Sequence, residues 1–373
     1  MIKYLTENVL PFWLENAIDE ENGGIFTCLD QKGEIYGEEK SVWFQGRALY
    51  IFANAYNNGL KNEEYLKAAK KIYEFLPRCG DENGRMFFTV TKEGKEIQKR
   101  RYYFSETFAA IGCCEYFLAT GEEEAKEKAE MYFNIAYSIF NDPSLTTPKF
   151  NPETAPYKAL SPAMIMLATS QVMRQINKEK YNAIAKDMVK EILKHYTEYG
   201  LLENVGPDYE FIDTPTGRTL NPGHSLEAAW FLMAEAQYQN DSELMLKGKE
   251  IIDISMKHGY RNGAIIAFCD CLGKPAGALE WDMQLWWPQC EAMIANRFCY
   301  EIYRQEKYLN WYNEIKDYVF THFADNENGE WYGYLHYDCT VANTLKGNIF
   351  KGPFHLPRML MLIDKIEKGL PLV

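Results

Sequence analysis

The chain is short of positive charge and of histidine, and it contains no long apolar run. Its 373 residues include 40 Lys and Arg against 53 Asp and Glu, a formal net charge of −13, and only 6 histidines. Nucleic acid and anionic membrane surfaces both demand a concentrated basic face, so neither is expected as the main partner. No apolar stretch approaches the roughly 18 residues of a membrane span, and the opening MIKYLTENVLPFW carries Glu7 and Asn8 where a secretion signal needs an unbroken apolar core. A cytoplasmic protein is the resulting expectation. The 9 cysteines are odd in number, and Cys113, Cys114 and Cys299 lie in apolar helical settings. They read as buried thiols, not as a disulfide framework. Cys269 and Cys271 are too isolated for a zinc site, and no G-x-x-x-x-G-K-[ST] phosphate loop is present.

What the chain does have is regularity. An apolar share of 47% with 25% charged residues is that of a globular protein. A turn element followed by a short aromatic run recurs as NGGIFTCLD, NGRMFFTV, ENVGPDYEFID, NGAIIAFCD and NGEWYGYLHYD, with its Asn at 22, 83, 204, 262 and 328. The period is about sixty residues with one member missing, in the non-helical stretch PSLTTPKFNPETAPY that begins at Pro143. Each unit couples a charged amphipathic helix to a helix apolar on nearly all faces, such as GHSLEAAWFLMAEA. The second kind must be buried and the first must cover it. Six such pairs predict an all-α (α/α)6 barrel, a single domain over residues 1–373, with short β-hairpins in the connecting loops. An open solenoid is the rival, but it needs polar capping repeats that the sequence lacks.

The inner helices begin with residues that core packing would not choose: Arg47, Glu106 after Ser105, His224 with Glu227, Glu291 behind Trp286 and Trp287, and His355 with Arg358. The third unit places Met164 there. If the inner helices run parallel, these side chains meet at one mouth of the barrel. His195, His258 and His322 fall in the last turns of outer helices, where a cation is favoured, and His336 sits in a predicted strand. His224 and His355 instead open inner helices, whose positive ends keep an imidazole neutral and fit for base work. Two such bases on opposite sides of one carbon suit epimerisation α to a carbonyl, with arginine stabilising the enediolate. A glycoside hydrolase using Glu106, Glu227 and Glu291 as paired carboxylates is the competing enzyme reading.

Four motifs, VWFQGR at 42–47, GHSLEAAW at 223–230, WWPQCEAM at 286–293 and KGPFHLPR at 351–358, resemble the N-acylglucosamine 2-epimerase family. The resemblance runs over essentially the whole chain and implies the (α/α)6 barrel. It implies that His224 and His355 exchange the C2 proton of an open-chain sugar and that Arg47 and Arg358 contact its oxygens. Glu227 and Glu291 would bind hydroxyls or orient a histidine, with Trp230 and Trp287 walling the pocket and Glu106 near the substrate. Cellobiose 2-epimerases and aldose–ketose isomerases of the same superfamily tend to carry a third histidine on the third inner helix. Met164 and Met166 stand there instead, which favours interconversion of N-acetylglucosamine and N-acetylmannosamine, a step of sialic acid metabolism. By the same resemblance no metal or cofactor is required for the chemistry, ATP is an activator in some members, and a homodimer is expected. A non-catalytic binding relative would leave the two helix-start histidines unexplained.

Overall fold

The computed structural model describes residues 1–99, 103–148 and 151–373. Twelve helices alternate between an outer and an inner layer. The first, α1 (2–16), is a continuous rod of three segments, Ile2–Tyr4, a π-helical turn Leu5–Val9 and Leu10–Asn16. Then follow α2 (Val42–Ala55), α3 (Glu63–Phe75), α4 (Phe104–Thr120), α5 (Glu123–Asn141), α6 (Ser161–Met173) and α7 (Lys178–Leu193). The last five are α8 (Pro222–Gln239), α9 (Ser242–Gly259), α10 (Trp286–Tyr303), α11 (Glu306–His322) and α12 (His355–Glu367).

Burial follows the two kinds of helix read from the sequence. Every residue of α8 from Pro222 to Ala236 is buried except His224. Its partner α9 buries a stripe, Leu244, Gly248, Ile251, Ile252, Ser255 and Met256, and gives its other face to solvent. The inner helices pack in sequence, α2 on α4, α4 on α6, α6 on α8, α8 on α10 and α10 on α12, and α12 returns onto α2. Each outer helix lies on the inner helix before it, and α1 lies on α12, so both layers close. That closure excludes the open solenoid.

The loops lock the helix starts in register. Lys40–Ser41, just before α2, pairs with Thr89–Val90, and Lys158–Ala159, before α6, pairs with Asn204–Val205. Thr219–Leu220, before α8, pairs with Cys269–Asp270, and Met283–Leu285, before α10, pairs with Tyr334–His336. A bridge from Leu29 to Gly347 joins the first loop to the last. The strands are only two or three residues long, and beyond local hairpins they link neighbouring units. The recurrent turn has a cause the motif itself omits. An aspartate two or three residues earlier, Asp19, Asp81 or Asp325, accepts the Asn backbone N–H at 2.9, 2.9 and 3.1 Å. The unit lacking the motif has a single 3₁₀ turn, Pro143–Leu145; residues 149–150 of that stretch lie outside the described residues.

All nine cysteines are free and seven of them are buried, as expected of reduced core thiols. No helix among the described residues is long and apolar enough to cross a membrane.

Candidate active site

One cavity of about 520 Å³ opens within the ring and is lined by Arg47, Met164, His224, Glu227, Trp230, Trp287, His355 and Arg358. Each is delivered by the first three turns of an inner helix, so the parallel arrangement read from the sequence brings them together. His224 is the third residue of α8, whose start is set by Asn221 in extended conformation; its side chain accepts the His224 backbone N–H at 3.1 Å. Gly223 before it is obligatory for a packing reason: a Cβ there would stand 2.6 Å from the Trp287 ring. His355 opens α12, and Arg358 follows one turn later on the same face.

The two histidines flank one indole. The Trp287 ring centroid lies 5.1 Å from that of His224 and 5.6 Å from that of His355. Both imidazoles use Nδ1 for a carboxylate, Glu203 Oε2 at 2.9 Å for His224 and Glu291 Oε1 at 2.7 Å for His355. That arrangement makes Nδ1 the N–H donor and leaves each Nε2 to the substrate.

The carboxylates differ in what else they hold. Glu291 is fully buried and also accepts from Trp230 Nε1 at 2.8 Å and from Arg358 Nη2 at 2.7 Å; the same Nη2 pairs with Glu227. Glu203 binds no such cation among the described residues. The consequence is opposite for the two rings. Burial lowers the His224 pKa, but the charge and hydrogen bond of Glu203 outweigh it and hold the ring above the ordinary imidazole range. Burial, with Arg358 as the next contributor, pushes His355 well below that range. The expectation of two neutral rings holds for His355 only, and there burial and Arg358, not the helix end, are the causes. A carboxylate from the preceding loop reverses it at His224.

Arg47 makes no ion pair among the described residues. Its guanidinium sits 4.2 Å from the Phe108 ring centroid and 5.0 Å from that of Phe354, with Nε buried and unpartnered. Burial pulls its pKa down to about 9, which leaves it a cation at neutral pH. Glu227, Glu291 and His355 present ligand-type atoms within 4.8 Å of one another. The cation of that cluster is the Arg358 guanidinium, whose pKa burial opposes but Glu291 and Glu227 raise.

Glu106 is not brought to the cavity. It is buried beneath the loop, accepting from Arg85 Nε at 2.7 Å and from the Met86 backbone at 2.9 Å. An acid in the first turn of an inner helix served the loop because the short 81–86 turn passes directly over it. Glu291 stands just behind the lining. His195, His258, His322 and His336 all lie outside the cavity, with His195 Nδ1 on the Leu202 carbonyl at 3.1 Å and His336 beside Asp282 at 3.2 Å. Glu203 is the residue that sequence reasoning passed over. It precedes Asn204 in the ENVGPDYEFID repeat, as Glu21, Glu82 and Glu327 precede the Asn of other units, so nothing in the motif singles it out.

A sequence profile of the family described as N-acylglucosamine 2-epimerase (GlcNAc 2-epimerase) matches residues 24–351. The N-acylglucosamine 2-epimerase of Rattus norvegicus is 34% identical over 377 residues, covering 96% of this chain and 89% of that protein. The chain belongs to the N-acylglucosamine 2-epimerase family. Membership makes it a carbohydrate epimerase, an isomerase. The barrel is shared with solved structures at lower identity. A D-mannose isomerase superposes with a TM-score of 0.85 at 18% identity, over 99% of this chain and 97% of that one. The cellobiose 2-epimerase of Bacillus thermoamylovorans B4167 gives 0.83 at 22%, over 99% and 100%.

Proposed function

We propose that this chain, as one catalytic unit over residues 1–373, interconverts N-acetylglucosamine and N-acetylmannosamine by moving the C2 proton of the open-chain sugar. The observation that carries the reading is the pair of histidines on either side of Trp287, each oriented through Nδ1 by a carboxylate. Ring opening exposes the aldehyde that acidifies the C2 proton. One Nε2 removes it, the Arg47 and Arg358 guanidiniums hold the enediolate oxygen, and the opposite Nε2–H returns a proton to the other face.

The unequal partners assign the roles. Between its two limiting pKa values the pair shares one proton, and that proton rests on His224, leaving His355 as the ready base. The epimer deprotonated by His355 reacts from the main form of the enzyme; the other reacts from the minor form. The rate in both directions is expected to fall at low pH as His355 protonates and at high pH as His224 loses its proton. Hydrolysis by paired carboxylates fits less well, since it needs one protonated acid and one free base. Glu227 and Glu291 share a single guanidinium, and Glu106 is elsewhere.

Met164 in the cavity wall supports an acetamido methyl as its neighbour, with no third histidine on α6. Kinship alone supports the remaining parts of the reading: a cytoplasmic homodimer in sialic acid breakdown, no cofactor for the chemistry, and ATP as activator. The test is proton NMR of N-acetylmannosamine with the protein in D2O, with and without ATP, and with mannose and cellobiose in parallel. N-acetylglucosamine carrying deuterium at C2 is expected. Turnover of mannose or cellobiose alone would move the substrate to the neighbouring branch.

A further inference from the structure

The cavity does not stop at the histidines. Along α2 it is lined by Trp43, Arg47, Tyr50, Asn54 and Asn57, about 20 Å of helix at 1.5 Å per residue. Along α12 it continues from Arg358 to Lys365, about 10 Å further in. A six-carbon chain held at C2 by the histidines does not reach both ends.

Most polar groups at the inner end already have partners. Asn57 Nδ2 donates to Glu115 Oε2 at 2.7 Å and Gln175 Nε2 to Oε1 at 3.2 Å, so this buried carboxylate is held by two amides. Asn58 donates to Asn54 Oδ1 at 2.8 Å. One donor lining this end has no protein acceptor among the described residues, the Lys365 ammonium. Glu115 attracts Lys365 through space, yet its oxygens are taken by Asn57 and Gln175 and no ion pair forms with Lys365. Burial draws the Lys365 pKa down and Glu115 only partly restores it. A lysine held this way is a cation short of an anion.

We infer that the inner end of the barrel is an anion subsite, in which a carboxylate or phosphate group sits on Lys365. Mid-helix Ile111, Ala168, Phe231 and Met361 form an apolar waist between this subsite and the histidines. The anion has two possible sources. It is the far end of the substrate, an anionic N-acyl group or a 6-phosphate, or it is a separate small anion. The first source rests on the epimerase reading and the second does not.

The experiment runs both arms on the full chain. Calorimetry with inorganic phosphate and with succinate reads the separate anion; kcat/KM for N-succinylmannosamine against N-acetylmannosamine reads the tethered one. In at least one arm Lys365→Met is expected to weaken binding or kcat/KM about ten- to a hundredfold, the usual loss for a charge-assisted contact, and Lys365→Arg to retain most of it. Glu115→Gln, which removes the opposing charge and keeps one acceptor oxygen for Asn57, is expected to tighten the same arm. N-acetylmannosamine turnover stays unchanged in all three variants, and its presence reports on the epimerase reading separately. The subsite is overturned if neither anion binds and the succinyl sugar responds to Lys365→Met no more than the acetyl sugar does. It is equally overturned if Lys365→Met removes N-acetylmannosamine turnover.

Discussion

The starts of α8 and α12 are built alike and behave oppositely. Each places a histidine in the first turn of an inner helix and hydrogen-bonds its Nδ1 to a glutamate, at 2.9 Å for His224 and 2.7 Å for His355. At α12 the glutamate is shared with Arg358, which cancels its charge beside a deeply buried ring; at α8 Glu203 has no cation to share. The charge state of an imidazole is thus set less by its immediate partner than by what that partner is already holding.

The comparison breaks most completely when either ring is removed. His224→Asn and His355→Asn are each expected to lower turnover by about 10² to 10⁴, the range of a lost general acid or base, with the melting temperature little changed. Turnover near the wild-type level in either variant would refute the two-base assignment. Arg358→Met should remove the asymmetry from the other side. It leaves Glu227 and Glu291 buried without their cation, at a cost of about 3–5 kcal/mol in urea unfolding, and it should raise the His355 pKa. An unchanged unfolding midpoint would contradict the shared-cation account.

Glu203→Gln sharpens the contrast more gently. Burial still opposes the imidazolium at His224 while the opposing charge is gone, so the ring loses its proton at lower pH. The alkaline limb of the pH–rate profile should move downward, with roughly a tenfold loss at mildly alkaline pH and little change on the acid limb. A profile that superposes on the wild type would remove Glu203 from the account. Glu106→Gln is the smallest case and the control. It should leave kcat/KM intact and lower stability by about 1–3 kcal/mol through the Arg85 and Met86 contacts.

Much of this was legible in the chain because the barrel repeats itself. The alternation of all-apolar and striped helices gave the two layers, and the inner-helix starts gave eight residues of the cavity wall and Glu291 behind it. Glu106 looked the same as Glu227 by that rule. What separates them is a loop crossing: Arg85 arrives from a turn 21 residues earlier and claims the carboxylate. Glu203 was hidden for the converse reason. It stands in a bend just before Asn204–Val205, and its backbone N–H donates to the Thr219 carbonyl at 3.2 Å, which fixes it against the start of α8. Helix-borne site residues are readable from helical periodicity, whereas residues supplied by loops depend on strand pairings that periodicity does not encode.

The most direct test of the central claim is an NMR titration of the imidazole nitrogens of His224 and His355, assigned with the two Asn variants. At neutral pH the account predicts His224 as the imidazolium and His355 as the neutral ring protonated on Nδ1. Equal titration of the two rings, or a charged His355 beside a neutral His224, would contradict it.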